Sequence, residues 1–334
     1  LDPYKIITLG GSSGAIDALI QIMRALPQDI AAALFVVVHV SAKGESILPN
    51  ILSRAGRLPA AHARDGEEIQ PGRIYVAPPD FHLLVKKGFV GLTRGPRENN
   101  HRPAIDPLFR SAAVSYGENV IGVLVSGNLD DGTAGLLAIK QRGGTAIVQD
   151  PDDAQFPGMP RAALSSVALD YSLPSGEIGP LLLRLAQQPG EAEGTPDAPA
   201  RMNEEIAIEE LNMAAIENDD KNGTPSVYGC PDCGGTLWEL NEEDVLRFRC
   251  RVGHAYTAES LAEEQTNGVE AAMWSAVRAL EESAVLQQRI ATRARRNKHD
   301  LLAERFETKA AEARQKAKMV RDAIVAHSSK GVDA

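Results

Sequence analysis

Three short runs of β-branched and apolar residues, separated by helix-like sequence, constrain this chain more than any other feature. They are Leu34–Val38, Ile121–Val125 and Thr145–Val148. Strands without polar alternation belong to sheets covered on both faces. Ile6–Leu9 adds a fourth such run. Helical spacing follows at Ile16, Leu19, Ile20 and Met23, and again from Ala134 to Lys140. The alternation predicts βαβ units and an α/β fold, a doubly wound and mostly parallel sheet with helices on both faces. Gly72–Pro78 and Phe81–Leu92 look like hairpin-forming additions, which would give the sheet an antiparallel edge.

The 334 residues suffice for two domains with an appended element. The longest apolar run, Ile30–Val38, is nine residues, about half of the ~18–20 needed to span a bilayer. No basic-then-apolar leader opens the sequence, so a soluble, cytoplasmic protein without membrane insertion is expected. The net charge of −10 is concentrated: from Glu191 to Asp220, ten acidic residues face Arg201 alone. That leaves no electrostatic footprint for a nucleic acid. The organisation expected is an α/β domain over residues 1–187 and an acidic linker over 188–225, within which Met202–Ile216 could form a short helix. A cysteine-bearing module over 226–257 and a helical region over 258–328 follow. In the last, Met273, Val277, Leu280, Ala284, Gln287, Ala291 and Ala294 form one stripe. Leu302, Phe306, Ala310, Ala313, Ala317, Val320 and Ile324 form a second, with a polar turn at Asn297–Asp300 between them. A helical hairpin is the compact solution, and a coiled coil used for self-association or partner binding is the alternative.

Gly10-Gly11-Ser12-Ser13-Gly14 follows the first strand and opens a helix, fitting Gly-x-Ser-x-Gly. Such a turn lifts a serine to the carboxyl edge of the sheet, next to free helix N–H groups that stabilise negative charge. The pattern alone also suits phosphate binding or a plain turn. A dinucleotide site fails on two counts: the Gly-x-Gly-x-x-Gly spacing is missing, and the second strand ends in His39 rather than an acid. The third strand runs into Ser126-Gly127-Asn128-Leu129-Asp130-Asp131-Gly132. Serine, histidine and aspartate thus each end a different strand, as a nucleophile, base and orienting acid require. Their order differs from that of α/β-hydrolases. His62, His82 and His101 lie in loop-like sequence without a second ligand at metal spacing, which favours structural or exposed roles.

Residues Lys5 to about Leu185 resemble the chemotaxis protein-glutamate methylesterases, the CheB-type catalytic domain. The likeness rests on the Gly10–Gly14 turn, His39 after its strand, Ala77-Pro78-Pro79-Asp80-Phe81-His82 and His101-Arg102-Pro103-Ala104-Ile105-Asp106. Asp131-Gly132 and Gly158-Met159-Pro160-Arg161 complete it. The resemblance implies Ser12 as nucleophile, His39 as base, Asp131 as its partner and the Asn128 backbone N–H in the oxyanion hole. It implies hydrolysis of γ-glutamyl methyl esters on the helical region of a chemoreceptor-like signalling protein, with glutamine deamidation open to the same route and no cofactor for the chemistry. Three departures stand out. Ala15 replaces a usual glycine, and Asn128-Leu129-Asp130 replaces the usual Met-Gly-Asn, which adds a carboxylate beside Asp131. No phosphoacceptor receiver domain is expected ahead of the esterase-like region, so the family's phosphorylation switch is expected to be absent or to act from another protein or a trimmed segment. A non-catalytic scaffold that binds a helical partner is the competing expectation.

Cys230 and Cys233, then Cys250 and His254, form two knuckles with the spacing of a four-ligand zinc site. Four soft or borderline ligands saturate a tetrahedron, so a structural zinc ribbon is expected, with redox chemistry by Cys230 and Cys233 as the lesser alternative. Trp238, Phe248 and Leu240 would cover its small core. With an acidic linker before it, the module should move independently of the esterase-like domain.

Overall fold

A computed structural model describes residues 4–40, 44, 46–188, 197–217, 223–240 and 245–328. The first strands and helices run β1 (Lys5–Gly11), α1 (Ala15–Arg24), β2 (Ala32–Val38), α2 (Leu48–Ala55), β3 (Ala60–His62) and β4 (Ile74–Val76). A hairpin of β5 (His82–Lys86) and β6 (Phe89–Thr93) precedes α3 (Ile105–Tyr116). Then come β7 (Val120–Leu124), α4 (Thr133–Gln141), β8 (Thr145–Gln149), α5 (Gly158–Ser166), β9 (Tyr171–Leu173) and α6 (Ser175–Ala186).

Seven strands form one sheet in the order β3-β4-β2-β1-β7-β8-β9, and every pairing in it is parallel. Along β2, Ala33, Phe35 and Val37 enter one apolar core, while Ala32, Leu34, Val36 and Val38 enter the other. Helices α3, α4 and α5 cover the first face and α1, α2 and α6 the second, as an uninterrupted apolar strand demands. The expected antiparallel edge does not form. Ile74, Tyr75 and Val76 are all buried, and β4 lies between β3 and β2. Only His82–Thr93 makes a hairpin, as a separate two-stranded sheet. The chain winds outward from β1 in both directions, and β1 with β7 forms the switch point, where the carboxyl ends of doubly wound sheets open a crevice.

Within the acidic stretch, the short helix expected over Met202–Ile216 forms as two, α7 (Ala200–Glu209) and α8 (Met213–Glu217). Met202 joins the core against α3, and Glu205 and Glu209 are buried. Apolar residues at helical spacing give α7 a face to bury, and Glu205 and Glu209 are withdrawn from water with it. A four-stranded antiparallel sheet follows: β10 (Gly223–Gly229), β11 (Thr236–Leu240), β12 (Arg247–Cys250) and β13 (Ala255–Thr257). Its core is Leu237, Phe248, Tyr256 and Leu261 with Cys230 and Cys250. Strand alternation turns Leu237 inward and leaves the expected Trp238 on the other face.

The chain divides into two compact units, residues 1–261 and 262–334. The second unit contains most of α9 (Ala258–Arg296) and all of α10 (Asp300–Ser328). Arg295 pairs with Glu307, Arg314 donates to Gln288, and Arg321 pairs with Glu281, a set that makes the helices antiparallel. Val277, Ala284 and Ala291 meet Ala303, Ala310, Ala317 and Ile324 as buried residues at heptad spacing. Leu302, expected on the seam, is exposed, and Ala303 takes its place. No helix among the described residues is long and apolar enough to cross a membrane.

Candidate active site and metal centre

Ser12 lies just beyond the end of β1, in a tight turn whose glycines leave no room for side chains. A Cβ on Gly11 would stand 2.6 Å from Ala15 Cβ, and one on Gly14 would stand 2.6 Å from Ser126 Oγ. Gly14 also has φ 73°, the left-handed conformation that starts α1. The turn is tied to the loop after β7: Ser12 N–H donates to Ser126 O at 2.9 Å, and Ser126 Oγ donates to Ser13 O at 2.8 Å.

His39 lies in register with Ser12, one residue beyond the Gly11–Val38 pair, and its N–H donates to Gly11 O at 3.2 Å. The His39 side chain is 6 % exposed, and its Nε2 meets Asp131 Oδ2 at 2.7 Å. Asp131 is 2 % exposed and surrounded by donors. Ile105 N–H reaches Oδ2 at 2.7 Å, Asp106 N–H reaches Oδ1 at 3.3 Å, and Asn99 Nδ2 reaches Oδ1 at 3.0 Å. Two of these donors are the first amides of α3, so the carboxylate caps a helix N-terminus. Burial by itself would raise the Asp131 carboxyl. The hydrogen bond and charge of His39, with the Ile105 amide, outweigh it and hold the group well below the usual carboxylate range.

Two neighbours, His101 and Asp106, are noted in the sequence without a role at this site. The His101 ring stacks on His39 with centroids 3.6 Å apart and planes at 14°. Burial, then the charge of His39, lowers His101 to about 4, so a neutral ring covers His39. Asp106 is buried beside Asp131 and accepts from Gly135 N–H at 2.6 Å. Burial, then repulsion from Asp131, pushes its carboxyl well above the ordinary value. Nothing in the spacing of these residues marks them, because they reach the site through the fold. His82 does take a structural role, fully buried between Pro96 O and Ala104 N–H. His62 contacts Ser46 O from β3.

Cys230, Cys233, Cys250 and His254 bring their ligand atoms within 4.8 Å of one another. Cys233 Sγ and Cys250 Sγ are 3.7 Å apart, and His254 Nδ1 lies 3.7 Å from Cys230 Sγ and 3.5 Å from Cys250 Sγ. A tetrahedral zinc with bonds of ~2.3 Å to sulfur and ~2.0 Å to nitrogen has ligand edges of about 3.5–3.8 Å. The donor set and its size therefore fit the ion. Burial pushes the Cys230 thiol up to about 12, and a bound cation is what would make it a thiolate.

The CheB methylesterase family model matches residues 7–182, more than half of the chain. The chain belongs to the CheB methylesterase family. A putative protein-glutamate methylesterase/protein-glutamine glutaminase of Leptospira interrogans is 38 % identical over 185 residues, covering 55 % of this chain and 96 % of that protein. A protein-glutamate methylesterase/protein-glutamine glutaminase of Anaeromyxobacter dehalogenans is 36 % identical over 194 residues, 57 % of this chain and 53 % of the relative. The crystal structure of the Thermotoga maritima CheB methylesterase catalytic domain matches with a TM-score of 0.53 and 35 % identity, covering 55 % of this chain and 99 % of that one.

Within the CheB domain, the extra carboxylate Asp130 has a partner that only the C-terminal half supplies. Its Oδ1 accepts Thr257 Oγ1 at 2.5 Å and Ser260 Oγ at 3.0 Å. Burial pushes it up to about 6. Asp131, by contrast, faces His39. Asn128 is exposed on the same loop, next to Leu129 at φ 59°. The expected independent movement of the cysteine module is corrected here: it shares a compact unit with the CheB domain and is bonded to it. Glu98, Glu205 and Glu209 face Arg110, Arg247 and Arg249 in a buried cluster.

Proposed function

We propose that this CheB-family chain is a serine hydrolase that demethylates γ-glutamyl methyl esters on the helical region of a chemoreceptor-like signalling protein. The observation that carries the reading is the buried His39–Asp131 pair, at 2.7 Å, one strand away from the Ser12 turn. With Nε2 held by Asp131, Nδ1 is the nitrogen that accepts the Ser12 proton as Oγ attacks the ester carbonyl. In this reading the Asn128 backbone N–H and the N-terminal amides of α1 are the donors that would receive the oxyanion. Collapse of the tetrahedral intermediate returns the proton from His39 to the departing methanol. Water then attacks the acyl carbonyl as His39 takes its proton, and the second tetrahedral intermediate collapses with His39 returning that proton to Ser12 Oγ as the glutamyl carboxyl group leaves. A glutamine side chain follows the same path with ammonia as leaving group, and the names of the relatives support both substrates.

In this reading residues 1–187 carry the chemistry, residues 226–257 hold one structural zinc through Cys230, Cys233, Cys250 and His254, and residues 258–328 form a helical surface for self-association or a partner. Four protein ligands leave the ion no open position, so no catalytic step passes through it. The deciding measurement is methanol release from a methylated receptor by the purified full chain. Turnover should be abolished in Ser12→Ala with an unchanged melting temperature, because one oxygen is removed from a half-exposed turn. Wild-type turnover in that variant would remove Ser12 as nucleophile. A native chain that binds the receptor without releasing methanol would leave it a scaffold.

A further inference from the structure

Asn99 stands between the metal module and the catalytic carboxylate, and its polar groups are divided between them. On one side, Nδ2 donates to Asp131 Oδ1 at 3.0 Å and to Asp106 Oδ2 at 3.1 Å. On the other, Oδ1 accepts Thr257 N–H at 2.9 Å, and the Asn99 N–H donates to Ala255 O at 2.8 Å. Its carbonyl accepts His101 Nδ1 at 2.5 Å, and His101 is the ring stacked on His39. Ala255 N–H donates back to Arg97 O at 3.2 Å, so β13 holds the 97–99 segment like an added strand. Ala255 follows the ligand His254 directly, and His254 O accepts Cys250 N–H at 2.9 Å.

We propose that Asn99 is a positioning residue through which the zinc-loaded module orients Asp131 and, through His101, the His39 ring. The proposal rests on the reading above, in which Ser12, His39 and Asp131 form the triad and the cysteine knuckles hold zinc. Asn99 is 2 % exposed, and its amide has no slack. The Oδ1 bond to Thr257 fixes the amide plane and so aims both Nδ2 hydrogens at carboxylates. Asp131 has two oxygens with separate partners: Oδ2 serves His39 and Ile105, while Oδ1 serves Asn99 and Asp106. Losing the Asn99 donor leaves Oδ1 with only the longer 3.3 Å bond from the Asp106 N–H, which loosens the carboxylate about its last bond and lets the oxygen facing His39 drift. Losing the metal loosens Ala255 and Thr257, and the same amide then loses its aim. Ester binding does not involve Asn99, so turnover should suffer and affinity should not.

The test uses the full zinc-loaded chain and reads three quantities: kcat and KM for ester hydrolysis, labelling of Ser12 by a phosphonofluoridate, and amide exchange at Asn99 and Thr257. Asn99→Ala should lower kcat and the labelling rate by about tenfold to a hundredfold, the usual range for a group that orients a functional residue from behind, with KM within about twofold. Removing zinc from the wild-type chain should speed exchange at both amides and slow labelling to the Asn99→Ala level. Restoring zinc should reverse both, and in Asn99→Ala the metal should no longer influence labelling. The wild-type arm stands even where the variant fails to fold. Faster exchange with unchanged labelling overturns the coupling and leaves the esterase reading intact. Losses from Asn99→Ala and metal removal that simply multiply also overturn it. A native chain whose Ser12 is never labelled removes the triad reading and the proposal together.

Discussion

The seven-stranded sheet and the four-stranded module solve the folding problem in different ways. The sheet buries apolar side chains on both faces, with Phe35, Leu34, Val123 and Ile147 all without exposure. The module has an interior of six residues, and two of them are Cys230 and Cys250. At ~25 cal/mol per Å² of apolar area, so small a core does not offset the entropy of ordering the chain around it. With zinc bound at the cysteine cluster, as proposed, coordination would supply much of the difference, and the module also packs through a buried ion cluster against α3 and α7. Polar contacts are directional, and those of the module reach Asn99, which donates to Asp131.

That contrast can be broken at four points. The largest effect is expected at Asp131, where Asp131→Asn should lower kcat by about 10⁴-fold, since the amide favours the wrong imidazole tautomer. Asp130→Asn should cost less than about tenfold, because Asp130 faces Thr257 and Ser260 instead of His39. A reversed ranking in steady-state kinetics would move the catalytic role to Asp130.

Next is Glu205, which meets Arg110, Arg247 and Arg249. Glu205→Gln strips the charge from one side of a buried cluster and should destabilise the fold by about 3–5 kcal/mol in urea melts. A loss below ~1 kcal/mol would mean that surface-like pairing holds the module instead.

A smaller pair of changes compares the two cores directly. Leu34→Ala should cost about 2–5 kcal/mol in the main unfolding transition. Leu237→Ala in the zinc-loaded chain should leave that transition within about 1 kcal/mol and raise amide exchange mainly in β10–β13. Equal shifts of the main transition would show that the two cores unfold as one.

The smallest effect concerns pH. Burial raises the Asp130 carboxyl from its ordinary value to about 6. Below the unfolded-state value near ~4 both states are protonated and the group contributes fully. As pH rises toward 6 the unfolded state loses its proton first, so this contribution fades, by at most about 3 kcal/mol. Thermal melts of Asp130→Asn should therefore gain on wild type between pH 4 and 6 and keep a constant lead above it. A difference that does not change over that range would place Asp130 in water. Glu98 and Glu205 work in the opposite sense. Burial opposes their ionisation, but the charge of Arg110 and the neighbouring guanidiniums outweighs it and lowers both carboxyls. Their support is present above the ordinary carboxylate range and lost on acidification below it.

Much of this molecule was legible in its sequence because the signals are local. An apolar run such as Leu34–Val38 has one economical fate, and a Gly-x-Ser-x-Gly turn after a strand has few. The cluster of Cys230, Cys233, Cys250 and His254 was legible because knuckle spacing is a short-range property. The misjudged places share the opposite character. Ile74–Val76 read as part of a hairpin because three residues show no reliable period, and only its neighbours β3 and β2 made it an internal strand. The acidic stretch read as a linker because charge is visible in sequence and pairing is not. Glu205 becomes a buried residue only when Arg110, 95 positions away, is brought to it.

The sequence by itself determined the doubly wound sheet, the strand ends that carry Ser12, His39 and Asp131, the metal knuckles and the paired C-terminal helices, all of which follow from residue type and short-range period. Tertiary structure alone decided that His101 covers His39, that Asp130 belongs to Thr257 and Ser260, and that Asn99 joins the cysteine module to Asp131. Thr257 lies 158 positions from Asn99. A hydrogen bond is specific only over about 3 Å, and nothing in a residue's own identity records which distant partner folding will bring within that reach.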